Sequence, residues 1–134
     1  MAKLGIIEGI GEAYESKLNE AGIKSVEGLL MACVTKKNRK DLAKATGITE
    51  KLILKWANHA DLNRVKGIGG EYAELLEAAG VDSVPELAQR KADNLVTKMI
   101  TVNQAKKLVR KMPTQKQVES WIEQAGALPR VLQY

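Results

Sequence analysis

Few residue types in this 134-residue chain are placed to do chemistry, and two glycine-centred stretches stand out among them. Gly9-Ile10-Gly11 and Gly67-Ile68-Gly69 each put one apolar residue between two glycines, and a helical apolar pattern begins directly after each. Glycine tolerates positive φ without steric cost and lets another chain approach its backbone. A tight turn that opens straight into a helix leaves N–H groups pointing outward, with the positive end of the helix dipole behind them. Such a turn can hold a phosphate, or it can simply join two packed helices. At least one glycine of each pair is expected at positive φ.

The second chemical feature is basic. Lys36, Lys37, Arg39, Lys40 and Lys44 surround the start of one helical segment, and Lys106, Lys107, Arg110, Lys111 and Lys116 have no acidic residue among them. Such clusters can contact nucleic-acid phosphates, dock an acidic protein surface, or form an ordinary solvated face. A helix over about 101–112 would set Lys106, Lys107, Arg110 and Lys111 at i, i+1, i+4 and i+5, in one stripe. Net charge is +5 and unevenly spread. Residues 1–35 carry three basic and five acidic side chains, residues 36–64 eight and three, residues 65–89 one and five, and residues 90–134 nine and three. Each glycine turn therefore lies in an acidic stretch that a basic one follows.

Enzymatic chemistry finds little support. His59 is the only histidine and Cys33 the only cysteine, too few for a zinc site or a nucleophile–base pair. His59 falls off the main apolar face of its segment and is expected at the surface or in a capping role. Cys33 sits among Leu29, Leu30 and Val34, as a buried packing residue would. Glu71, Glu74 and Glu77 could share one helix side, most simply a solvated one. Gly69-Gly70 is not followed by Lys-Ser or Lys-Thr, so it is no nucleotide P-loop. No catalysis, metal or cofactor is expected.

The elements that position these residues come from a duplication. At an offset of 58, residues 7–29 match 65–87 at ten of 23 positions, among them Tyr14/Tyr72, Leu18/Leu76, Gly22/Gly80 and Ser25/Ser83. Apolar residues recur at helical spacing throughout, and no strand alternation appears. Ser25, Thr49, Ser83, Asp93 and Thr114 are placed as helix N-caps, with Glu86 and Gln117 completing capping boxes. Gly22, Gly47, Gly80 and Gly126 are placed to end helices. Trp56 and Trp121 each close one copy and are expected in its core, against Tyr14 or Leu18 and against Tyr72 or Leu76. With 45% apolar and 28% charged residues the composition is that of a globular protein. No apolar run is long enough to span a bilayer, and the first residues lack a signal-peptide core. No membrane association and a cytoplasmic location are expected.

Gly-Ile-Gly opening a helix that ends Ala-Gly-Ile or Ala-Gly-Val resembles the helix-hairpin-helix family, and the paired turns of each copy resemble its double form in DNA repair and recombination proteins. The tandem copies, the paired tryptophans and the segment Trp56-Ala57-Asn58-His59-Ala60-Asp61-Leu62 resemble an uncharacterised bacterial and archaeal family of tandem helix-hairpin-helix proteins, over about residues 4–128. The resemblance implies an all-α fold of two tandem double helix-hairpin-helix, SAM-domain-like units packed as one compact body. It would comprise residues 1–64, residues 65–126 and a loose tail, 127–134. It also implies contact between duplex phosphates and the backbone at Gly9, Gly11, Gly67 and Gly69. A basic residue often stands two positions after the second glycine in DNA-binding members. Here those positions hold Ala13 and Glu71, and only Lys66 adds positive charge at the second turn.

The function expected is a non-catalytic module with weak, sequence-independent affinity for nucleic acid, DNA rather than RNA. The phosphate contacts would come from the glycine turns, Lys66, Lys106, Lys107, Arg110, Lys111, Lys36, Lys37, Arg39 and Lys40. The alternative is an adaptor that binds an acidic protein surface or a second copy of itself.

Overall fold

A computed structural model describes residues 2–134. After a short 3-10 turn at Leu4–Ile6, eight α-helices follow among the described residues: α1 Glu12–Glu20, α2 Val26–Ala32, α3 Lys36–Thr46, α4 Glu50–Leu62, α5 Gly70–Ala78, α6 Val84–Ala88, α7 Ala92–Lys106 and α8 Gln115–Ala127. The described residues contain no strand.

The helices start where polar side chains take up the first free N–H groups. Ser25 Oγ accepts from Gly28 N at 3.0 Å and Ser83 Oγ from Glu86 N at 3.4 Å. Thr114 and Gln117 complete a reciprocal box ahead of α8. A box of the same kind, Thr35 with Asn38, starts α3 at Lys36. The Asp93 cap does not form: Lys91 precedes α7, and Asp93 lies in its first turn. Helix α8 runs through Gly126 to Ala127.

The chain divides into two compact units, one ending at Asp61 and including Val131–Tyr134, the other Leu62–Arg130. The duplication is legible in their hydrogen bonds. Ile7 N donates to Leu4 O and Val65 N to Leu62 O, both at 3.1 Å. Ile23 N donates to Leu18 O at 2.9 Å and Val81 N to Leu76 O at 2.8 Å. Leu62 thus plays in the second unit the part Leu4 plays in the first, and the division falls there rather than after residue 64.

The first core gathers Leu4, Ile7, Leu18, Leu29, Ile53 and Trp56, and the second Leu62, Val65, Leu75, Leu76, Leu95 and Trp121. Trp56 meets Tyr14 edge-on with ring centroids 5.0 Å apart, and Trp121 meets Tyr72 at 5.3 Å. Each tryptophan therefore closes its own copy on the expected tyrosine.

Two expectations are corrected. His59 is not at the surface, because every residue from Trp56 to Leu62 is buried and α4 has no exposed side there. Nor is the end of the chain loose. Val131–Tyr134 return to the first unit, where Leu132 is only 2% exposed and Gln133 N donates to Val34 O at 2.8 Å. Leu132→Ala is expected to destabilise the first unit by about 2–5 kcal/mol, as for other buried leucines. An unchanged urea midpoint would mean that this segment adheres without contributing to stability.

Candidate nucleic-acid interface

Each glycine turn rests on the tryptophan of its own unit. Gly9 has φ +95° and Gly67 φ +98°, the left-handed region expected of one glycine per pair. A Cβ built on Gly67 would lie 2.8 Å from Trp121 Nε1, and one built on Gly9 would lie 3.4 Å from Trp56 Nε1. The indole edge is thus the floor under the turn, which explains why turn and tryptophan are duplicated together. Gly11 and Gly69 play a different role. They are the N-caps of α1 and α5, with φ −88° and −96°, and no side chain caps either helix. A Cβ at either would meet nothing within 4 Å. The first N–H groups of both helices therefore lie beside exposed glycines with open space before them.

The charge around the turns is mixed. Glu12 and Glu15 occupy the first turn of α1, and Glu71 that of α5. Each carboxylate satisfies the helix dipole and opposes a phosphate. Lys66 is exposed, and its backbone is fixed to α8: its N–H donates to Gln124 Oε1 at 2.9 Å, and its carbonyl accepts from Gln124 Nε2 at 3.3 Å.

Lys106, Lys107, Arg110 and Lys111 are all exposed but do not form a helical stripe. Helix α7 stops at Lys106, and Lys107 takes a left-handed conformation, φ +51°. Asn103 is the cause. Its Oδ1 accepts from Val109 N at 3.0 Å and its Nδ2 donates to Val109 O at 3.1 Å. The chain is folded back so that Val109 is buried, only 6% exposed. The hydroxyl of Tyr72 then donates to Lys111 O at 2.9 Å. The result is a fixed, acid-free basic turn, tied to the helix that Gly67-Ile68-Gly69 opens.

The stripe exists instead in the first unit. Lys36, Lys40 and Lys44 follow one another at i, i+4 and i+8 on α3 with Lys37 beside them, and all four are exposed. Arg39 does not belong with them. It is 5% exposed, and its guanidinium donates to Cys33 O and Gln133 O, each at 2.9 Å, and to Val34 O at 3.4 Å. Its partners are carbonyls of this chain, so it is a structural cation and not a phosphate contact. Cys33 lies beneath it, its thiol pushed up to about 12 by burial against the opposing pull of Arg39. It is therefore an inert packing residue.

Among the described residues no group of three His, Cys, Asp or Glu side chains could hold a metal ion, and no helix is long and apolar enough to cross a membrane.

Residues 8–128 match the family model described as Domain of unknown function (DUF4332), and the chain belongs to that family. No curated protein and no solved structure matches the chain.

Proposed function

We propose that this protein is a non-catalytic nucleic-acid-binding module of the tandem helix-hairpin-helix kind, gripping DNA backbone phosphates without reading sequence. The observation that carries this reading is the hydrogen bond from Tyr72 to the Lys111 carbonyl. It keeps the basic turn 106–111 beside the helix opened by the uncapped glycine turn of the same unit. Phosphate binding needs cations and outward N–H groups held together, and such contacts position a duplex without specifying its sequence. Glu71 weakens the turn as an anchor, so Lys66, Lys106, Lys107, Arg110 and Lys111 contribute most of the attraction. In the first unit the α3 lysines make a second, separate row of phosphate contacts. The reading takes the protein as cytoplasmic, where a lone thiol such as that of Cys33 stays reduced.

The test is the salt dependence of duplex binding. Each phosphate contact contributes about 0.9 to the slope of log affinity against log salt. Changing Lys106, Lys107, Arg110 and Lys111 together to Gln is expected to flatten that slope by roughly two to four units, alike on unrelated sequences. Folding should be little affected, because exposed charges contribute little to stability. An unaltered protein that binds neither DNA nor RNA at low salt would end this reading. Self-association abolished by high salt would then favour the adaptor.

A further inference from the structure

The first unit contains a cleft of about 440 Å³ lined by Lys36 and Arg39 of α3, Glu50, Lys51 and Leu54 of α4, and Tyr134. Its size lies within the range of small-molecule sites. Arg39 gives it an unusual wall. The guanidinium is buried, and its three hydrogen bonds all go to carbonyls. A buried cation hydrogen-bonded to neutral carbonyls contributes positive potential to the space beside it. Lys36 and Lys51 add charge from exposed positions on either wall, beside the side-chain carboxylate of Glu50.

Tyr134 supplies the complementary surface. The Arg39 guanidinium stands 5.6 Å from its ring centroid, and its hydroxyl donates to Asn58 Oδ1 at 2.6 Å. The ring is held at its face and at its tip, yet it remains 60% exposed. A fixed aromatic ring is a stacking platform that loses little entropy when a flat partner settles on it. Leu54 and the lysine stems extend that apolar surface.

A flat body with one anionic group is what this combination fits. We propose that the cleft binds a nucleotide, with its base against Tyr134 and Leu54 and its phosphate between Lys36 and Lys51. A free mononucleotide and the unpaired terminal nucleotide of a strand present the same chemistry. For the strand, the proposal rests on the reading above, with Lys40 and Lys44 continuing the phosphate row along α3.

The experiment titrates adenosine 5′-monophosphate into the full ¹⁵N-labelled chain, with adenosine and inorganic phosphate as separate titrants. Amide shifts are expected around Lys36, Lys51, Leu54 and Tyr134, with the nucleotide binding about tenfold or more tightly than either fragment. Leu54→Trp fills the cleft without altering Tyr134 and is expected to weaken binding about tenfold. Tyr134→Leu should weaken it about fivefold, as the loss of one stacking partner does, and Tyr134→Phe should retain it. A second arm compares duplex DNA bearing one unpaired 3′ nucleotide with the blunt duplex. A preference for the overhang that Leu54→Trp erases identifies the strand end as the ligand; nucleotide saturation without that preference identifies the free nucleotide. Inorganic phosphate reproducing the nucleotide's shifts at the same concentration would overturn the proposal, as would the absence of both saturation and preference. Leu54→Trp leaves Lys36 and the other α3 lysines in place, so blunt-duplex affinity tests the phosphate-backbone reading by itself.

Discussion

Trp121→Ala and Trp56→Ala are each expected to cost about 3–5 kcal/mol, a large part of the roughly 5–15 kcal/mol that a domain possesses. Both side chains are almost wholly buried. Each removes a large apolar volume from one core, loses an aromatic contact with Tyr14 or Tyr72, and withdraws the floor from one glycine turn. The two units are disrupted separately: Trp56→Ala acts on the first and Trp121→Ala on the second. Each mutant retains one tryptophan, whose fluorescence reports the unit left intact, while circular dichroism follows the whole chain in urea. Urea midpoints unchanged in both variants would contradict the tryptophan-centred cores. A milder substitution separates the two sites further. The Trp56 indole N–H is buried with no hydrogen-bond partner among the described residues. Trp56→Phe thus removes an unsatisfied donor along with the extra ring, which offsets part of the packing loss.

The duplication carried most of the helix order because its signals are local. Ser25, Ser83 and Thr114 act on N–H groups three residues away, and Gly47 ends α3 by its own conformation. What the sequence concealed depends on distant or reciprocal partners. Arg39 looks like its neighbours Lys37 and Lys40, yet it is buried because a carbonyl 94 residues away, that of Gln133, accepts from it. Helical spacing alone favours continuing α7 through Lys111, and the pair of hydrogen bonds between the Asn103 amide and the Val109 backbone turns the chain away. The start of α3 depends on a signal of another kind. Thr35 followed by Asn38 is a capping pair visible in the chain, with Asn in place of the usual Glu or Gln. For the interface, residue types were legible, but their exposure and grouping had to come from the fold.

The glycine turns offer the sharpest separation of stability from binding. Gly67→Ala is expected to cost more than about 2 kcal/mol, because two penalties combine. At φ +98° any L side chain is strained, and the new Cβ would stand 2.8 Å from Trp121 Nε1, a buried and rigid ring that must shift. Gly9→Ala bears the first penalty without the second, since 3.4 Å from Trp56 Nε1 is an ordinary contact, and should cost about 1–2 kcal/mol. Gly11→Ala and Gly69→Ala bear neither. Their backbones lie at negative φ, and the added methyl meets nothing. Their stability should change by less than about 1 kcal/mol, the weaker N-cap offset by the lower entropy of the unfolded chain. The methyl at residue 69 would nevertheless project into the open space where a phosphate must approach the first N–H groups of α5. Gly69→Ala should therefore weaken duplex binding while its urea midpoint stays near that of the unaltered protein. Gly67→Ala should lose stability first. If Gly69→Ala binds duplex DNA as the unaltered protein does, the turn makes no phosphate contact and the basic segments act alone. If Gly67→Ala and Gly69→Ala prove equally stable, the tryptophan floor beneath the turn is wrong.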